Sequence, residues 1–303
     1  MVMFGPPLTK QDSSMSQDSS MSIAQKPVWF ITGCSTGFGR ELARHTLELG
    51  YPTVITARNP AQVEDLAAGH EDIALVHKLD VLTQGDIDAT VAAAHERFGR
   101  IDVLVNNAGI GYFGSLEESD IAEARHMFEI NVWGLVAMTR SVLPGMRAQR
   151  SGTIVNISSI GGLRAAPALS FYNATKFSVE AISDSLSQEV APLGLKVLIV
   201  EPSGFRTDWA GRSAGEAPQT IDDYRETAGS RRDLIRGNSG RQAGDPVRAA
   251  KAIVQAVEAA DPPLRLLLGK AALAGARQKL GELSRDFEAW AGVSEDADFP
   301  DPQ

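Results

Sequence analysis

From Lys26 onward, short apolar runs alternate with longer stretches in which apolar residues recur every three or four positions. "VWFITG" (28 to 33), "PTVITAR" (52 to 58), "IALVHKLDV" (73 to 81), "IDVLVNNAG" (101 to 109), "GTIVNISS" (152 to 159), "LKVLIVEP" (195 to 202) and "LRLLLG" (264 to 269) read as strands. They are nearly continuous in apolar character, as strands covered on both faces are. Between them, "GRELARHTLELG" (39 to 50), "GDIDATVAAAHERFG" (85 to 99), "EARHMFEINVWGLVAMTRSVLPGMRAQ" (123 to 149) and "DPVRAAKAIVQAVEAA" (245 to 260) carry the helical period. Such alternation implies a doubly wound α/β sandwich: a seven-stranded parallel sheet flanked by helices on both faces. No composition shift divides residues 26–303, so one domain is expected.

Three stretches leave the pattern. Residues 1–25, with the near repeat "SMSQDSSMS", cannot bury a core and read as a disordered extension, native or left over from cloning. Residues 203–244 are polar and glycine-rich and lack a clear strand, which suits a substrate-loop insertion. From about 270 the chain reads as one helix running into a frayed acidic tail over 292–303.

The formal net charge of −9 and the absence of a Lys/Arg cluster argue against a nucleic-acid partner. No apolar run reaches the length of a membrane-spanning helix, and the N-terminus lacks the basic-then-apolar order of a secretory signal, so a cytoplasmic location is expected. The single cysteine, Cys34, forbids an intrachain disulfide, and the five histidines show no metal-ligand spacing; no metal is expected.

Gly33, Gly37 and Gly39 fall between the first strand and the first helix. Glycines let backbone approach a ligand closely, and a helix N-terminus offers N–H groups to a pyrophosphate. A dinucleotide is the expected ligand, although the spacing Gly-x-x-x-Gly-x-Gly differs from Gly-x-Gly-x-x-Gly. The second strand ends in Ala57-Arg58, with no acid before Glu64. A carboxylate there would hold ribose hydroxyls, whereas a guanidinium suits a 2′-phosphate. NADP is therefore favoured and NAD is the alternative, unless Arg58 is simply a loop cation.

Tyr172 and Lys176 stand four residues apart in "SFYNATKFSVEAISDSLSQEV". By itself that spacing means only a shared helix face. Ser159, at the carboxyl end of its strand, lies 13 residues before Tyr172 and at the edge facing the glycine turn. A nearby ammonium and a cationic nicotinamide ring would both pull the phenol below its usual value near 10, fitting Tyr172 to act as acid or base.

Taken in order, TGxxxGxG (Thr32 to Gly39), NNAG (Asn106 to Gly109), Asn131 in "NVWG", Ser159 and Tyr172-x-x-x-Lys176 resemble the short-chain dehydrogenase/reductase family, with its Rossmann-type fold. "TARNP", "SSIGG" and "FRTDW" look most similar to the hydroxysteroid and retinol dehydrogenase subgroup. The resemblance implies that Tyr172 is the acid/base, that Lys176 lowers its pKa and holds the nicotinamide ribose, that Ser159 steadies the substrate oxygen, and that Asn131 anchors a relay water. It also implies Ser35, Thr36 and Phe38 in the phosphate turn, Asp80 and Val81 at the adenine, Asn107, Ala108 and Gly109 along the cofactor, and Pro202 and Thr207 at the carboxamide. Pro202-Ser203-Gly204 departs from the family's Pro-Gly, and Thr36 stands where many NADP users carry a basic residue.

By the same resemblance, substrate contacts come from Gly111, Tyr112, Phe113, Leu163, Ala165, Phe171, Phe205 and Trp209, together with Ser159; each could equally be core. Their apolar character implies a small hydrophobic ketone, aldehyde or alcohol. The expected activity is NADP(H)-dependent oxidoreduction; alternatives are a non-redox epimerase or dehydratase and a cofactor-sensing regulator. A homodimer or homotetramer through the helices after the fourth and fifth strands is expected.

Overall fold

The computed structural model describes residues 26–299, so the expectation for residues 1–25 and the end of the tail lie outside the described residues. In chain order the strands are β1 (Trp29–Ile31), β2 (Thr53–Ala57), β3 (Ala74–Lys78), β4 (Val103–Asn106), β5 (Gly111–Phe113), β6 (Gly152–Ile157), β7 (Leu195–Pro202), β8 (Ala214–Glu216) and β9 (Arg265–Leu268). The α-helices are α1 (Gly37–Glu48), α2 (Gln84–Phe98), α3 (Ile121–Phe128), α4 (Leu135–Gln149), α5 (Ser170–Val190), α6 (Ser230–Gly237), α7 (Pro246–Glu258), α8 (Lys270–Ala289) and α9 (Ala291–Glu295).

Seven parallel strands form one sheet in the order β3-β2-β1-β4-β6-β7-β9. All seven coincide with the apolar runs. Alternate side chains serve opposite faces, as the period of a strand requires. Trp29, Ile31, Ile55, Val105, Val155 and Val200 join the core under α1 and α7. Phe30, Val54, Leu104, Ile154 and Val197 join the core under α2, α4 and α5. The order reverses between β1 and β4, and at such a switch point the carboxyl ends of the strands open a crevice.

Several elements differ from the sequence reading. The single helix expected over 123 to 149 is broken by a π-turn at Glu129–Gly134, between α3 and α4. The insertion at 203–244 does contain a strand: β8 pairs in parallel with β5, Tyr112 opposite Gly215, and α6 follows it. The C-terminal stretch is two helices, α8 and α9, instead of one, and α9 lies within the expected tail. Among the described residues, no helix is long and apolar enough to cross a membrane.

Candidate active site

Above the switch point lies a cavity of about 750 Å³ lined by the β1–α1 turn, the end of β4, the segment after β6, the start of α5 and the insertion. Gly33 and Gly37 have φ of +71° and +61°, which L side chains rarely adopt. A Cβ on Gly39 would lie 2.4 Å from Asn107 Nδ2 and 2.5 Å from Gly33 O, so α1 starts flush against the turn. Thr32 Oγ1 accepts from the backbone N–H groups of Asn107 (2.9 Å) and Ala108 (3.0 Å). Asn107 Nδ2 in return donates to the carbonyls of Thr32 (2.8 Å) and Gly33 (2.9 Å). The glycine turn and the loop after β4 are thus one clamped unit across the crevice.

This cradle has the makings of a dinucleotide site. Bare backbone and the N-terminus of α1 meet at the turn, where pyrophosphate oxygens could be received. Arg58 is exposed on the cavity wall just past β2. Asp80 and Val81 line the far end; Asp80 Oδ1 accepts from the Leu82 N–H at 3.0 Å, which fixes the carboxylate direction. Ser35, Thr36, Gly37, Phe38, Ala108, Gly109, Pro202 and Thr207 also face the cavity, whereas Gly39 supports the turn from behind.

Ser159, Tyr172 and Lys176 share that wall. Ser159 leaves β6 in extended conformation and caps the following turn, its Oγ accepting from Gly161 N–H at 3.0 Å. Asn173 ties this turn to α5, donating to Gly161 O (2.9 Å) and accepting from Ala166 N–H (3.0 Å). Lys176 is buried; its Nζ donates to Ile157 O at 2.8 Å and lies 5.8 Å from the centroid of the Tyr172 ring. Burial draws the Lys176 ammonium down to about 8, opposed by the negative charge of Glu180. Tyr172 goes the other way: burial pushes its phenol up to about 12, and the neighbouring Ser159 hydroxyl offsets this only in part. The expected lowering of the Tyr172 pKa is therefore not produced by the protein's own groups, because desolvation of a phenolate outweighs them here.

Asn131 sits in the π-turn, behind the wall. Both its amide hydrogens are used, toward Ile110 O (2.9 Å) and Thr175 Oγ1 (3.2 Å), while its Oδ1 accepts from Ile110 N–H (2.9 Å). Its side chain thus couples the loop after β4 to α5.

Of the expected substrate contacts, Gly111, Tyr112, Phe205 and Trp209 line the cavity. Phe113, Leu163, Ala165 and Phe171 are not on its wall. Phe113, expected as a contact, is 0% exposed and packs edge-on behind Trp209, with ring centroids 5.5 Å apart. Tyr112 Oη is engaged by the Asp120 N–H at 3.0 Å, so its ring presents a flank to the cavity, not a hydroxyl. The sequence reading missed Leu234 and Ile235 of α6, which also line the cavity. Their only signal is an apolar pair inside the polar "SRRDLIRG". Arg236 pins α6 down: its Nη1 donates to Ala210 O and Gly211 O, its Nη2 to Ala214 O, and its guanidinium lies 4.8 Å from the Phe113 ring centroid.

One turn beyond Lys176, Glu180 meets Glu201, the penultimate residue of β7, which is 0% exposed. Arg265 Nε lies 3.3 Å from Glu180 Oε2 and 3.5 Å from Glu201 Oε1, and its Nη2 is 3.0 Å from Asp184 Oδ2. Burial, then the charge of Glu180, pushes the Glu201 carboxyl up to about 8.

Residues 27–217 match the family described as short chain dehydrogenase. The chain is 38% identical over 269 residues to oxidoreductase BOA17 of Botryotinia fuckeliana, covering 88% of this chain and 97% of that protein. It is 35% identical over 248 residues to 3-ketodihydrosphingosine reductase of Bacteroides thetaiotaomicron, covering 81% and 88%. Among solved structures, a short-chain dehydrogenase from Streptomyces avermitilis superposes with a TM-score of 0.85 at 41% identity, covering 90% of this chain and 100% of that one. A 3-ketoacyl-(acyl-carrier-protein) reductase from Brucella melitensis, complexed with NADH, has a TM-score of 0.66 at 29% identity, covering 82% and 99%.

Proposed function

Because the chain belongs to the short-chain dehydrogenase/reductase family of oxidoreductases, we propose that it interconverts a hydrophobic ketone or aldehyde and its alcohol with NADP(H). The observation that carries this reading is the convergence of Ser159, Tyr172 and Lys176 on the cavity that the glycine turn opens. A nicotinamide cofactor, when bound, accepts or supplies the hydride.

Gly33, Ser35, Thr36, Gly37 and Phe38 would hold its phosphates, Asp80 and Val81 its adenine, and Asn107 to Gly109, Pro202 and Thr207 the rest. Arg58 has no hydrogen-bond partner among the described residues and is exposed on the cavity wall, which supports a 2′-phosphate ligand there and hence NADP over NAD.

Ser159 Oγ donates to the carbonyl oxygen of the substrate, sharing the charge that develops on it. Tyr172 gives its phenolic proton to that oxygen in reduction and takes it back in oxidation. A phenol held near 12 is protonated throughout the neutral range and thus suited to reduction. Lys176 lies close enough to compensate negative charge left on Tyr172. With both Asn131 amide hydrogens committed, Asn131 can meet a relay water only as an acceptor.

Tyr112, Phe205, Trp209, Leu234 and Ile235 give the substrate end an apolar lining, in keeping with a hydrophobic carbonyl compound. The experiment is NADPH and NADH oxidation by purified protein against a panel of aliphatic, aromatic and steroidal ketones. NADPH-dependent turnover that disappears in Tyr172→Phe supports the reading. Tight NADPH binding without turnover of any carbonyl, or turnover unchanged in Tyr172→Phe, overturns it.

A further inference from the structure

Helix α8 is anchored mainly through its first half, with Arg164 Nη1 donating to Gln278 Oε1 at 2.9 Å. Its buried residues are Ala272, Gly275 and Ala276, and none of the residues from 277 to 289 is buried among the described residues. The free half is nevertheless apolar along one line. Leu273, Leu280 and Phe287 recur at seven-residue intervals, a spacing that drifts only about 20° per step around a helix. Leu280 is 67% exposed and Phe287 66%, and just past the end of α8 Trp290 and Val293 are 66% and 64% exposed. A helical segment without tertiary packing is marginal in water, because packing of an apolar face is what stabilises most helices. The stripe therefore requires a partner.

The charge order of α8 identifies the partner. Lys270, Arg277 and Lys279 fall in the first ten residues; Glu282, Asp286 and Glu288 follow, with Arg285 the lone cation of the second half. This runs against the helix's own dipole, which favours acids at the N-terminus and bases at the C-terminus. There is no acid in the first turn and no base in the last. An order that disfavours the isolated helix becomes favourable beside an identical helix laid antiparallel, basic half against acidic half. A two-fold axis through the contact makes both halves complementary at once. The acidic end, continued by Glu295, Asp296 and Asp298, would be repelled by an anionic lipid surface, which sets a membrane aside.

We propose that α8 is a self-association surface: two copies of this chain pair through antiparallel α8 helices, with Leu280 nearest the two-fold axis, Phe287 facing Leu273 of the opposite helix and Trp290 packing near that helix's start. This interface is separate from any formed by α4 and α5, and it does not depend on the proposed reaction.

Sedimentation equilibrium of the full chain, with circular dichroism to confirm folding, tests it. The expected result is that Leu280→Asp or Phe287→Asp halves the particle mass while the helical signal and Tm of the body persist. A further expectation is that a chain carrying Arg277→Glu and Lys279→Glu associates only when mixed with one carrying Asp286→Lys and Glu288→Lys. Orientation is read from single cysteines under mild oxidation, since Cys34 is fully buried and its thiol is pushed up to about 12. Leu280→Cys, near the axis, should cross-link with itself and Leu273→Cys should not, because antiparallel pairing sets the two copies of position 273 well beyond disulfide reach. A monomer at 100 µM, a mass unaffected by Leu280→Asp, or self-linking of Leu273→Cys would each overturn the proposal.

Discussion

The indole of Trp209 stands 4.8 Å from the phenol ring of Tyr172, centroid to centroid, at an interplanar angle of 53°. Trp209 is braced from behind by Phe113 and belongs to the insertion, so the part of the chain that differs most from a plain βα repeat sits directly on the proposed acid/base. Trp209→Ala should open the cavity beside Tyr172 without touching the proton donor. The expected outcome is a shift of kcat/KM toward bulkier ketones by about tenfold or more relative to small ones, since a methylene's worth of fit is about 1–3 kcal/mol. A ketone series of increasing ring size reads it directly.

Tyr172→Phe should lower kcat by about 10²- to 10⁴-fold, the range of a lost general acid, with NADPH affinity changed little. Lys176→Met should cost activity to a similar degree and weaken NADPH binding as well, if Lys176 takes the ribose role that the family resemblance gives it. Fluorescence titration of NADPH separates the two effects.

Arg58→Asp should invert cofactor preference. Removing a charge-assisted contact and adding a repelling carboxylate is expected to reduce the NADPH to NADH ratio of kcat/KM by about 10² or more, given about 1.5–3 kcal/mol for a hydrogen bond to a charged group. An unchanged ratio would return Arg58 to the status of a loop cation.

At Gly39 the constraint is steric. A methyl group would collide with Asn107 Nδ2 and Gly33 O, so Gly39→Ala must break the Thr32–Asn107 clamp or displace α1. We expect loss of NADPH binding and a Tm several degrees lower. Gly85→Ala in the first turn of α2, where nothing lies within 4 Å, is the control and should leave NADPH binding unchanged and the Tm no lower.

The Glu201 carboxyl, pushed from an ordinary value of 4.5 to about 8 in the folded protein, holds its proton where the unfolded chain has lost it. Between about pH 4.5 and 8 the native state therefore binds more protons than the unfolded state, and stability falls as pH rises through that window. Glu201→Gln keeps the shape and removes the titration, so its Tm should decline less from pH 5 to pH 8.5 than that of the parent. A constant offset between the two curves would place the proton elsewhere, for instance on Glu180.

The seven sheet strands were legible because each carries an apolar run that no surface loop would: the inner strands are buried on both faces, and the edge strands β3 and β9, only half-buried, still keep theirs. The β5–β8 ribbon was not: three residues leave no period to read, and both strands contain glycine. The π-turn was hidden for another reason, since the apolar spacing from Ala124 through Val142 continues across it and only the main-chain hydrogen bonding of Glu129–Gly134 reveals the extra residue. Ser159, Tyr172 and Lys176 were legible as residue types at a spacing. Phe113 was misread because a cavity wall and the layer behind it demand the same kind of side chain. The Glu180–Glu201–Arg265 cluster joins three elements far apart in sequence, and nothing local announces it.

The π-turn at Glu129–Gly134 also bears on how this chain tolerates deletion. A π-turn takes up one residue more than the α-turn it replaces while leaving the flanking helices nearly in phase, so excising one residue from it would restore regular winding with α3 and α4 still facing as they do. Met127, fully buried beside Tyr112 and Leu169, and Met138, fully buried under the sheet, would both still face inward. A one-residue deletion at the exposed Trp133 should therefore be tolerated far better than one in the regular winding of α4, where each lost residue turns everything beyond it by about 100°.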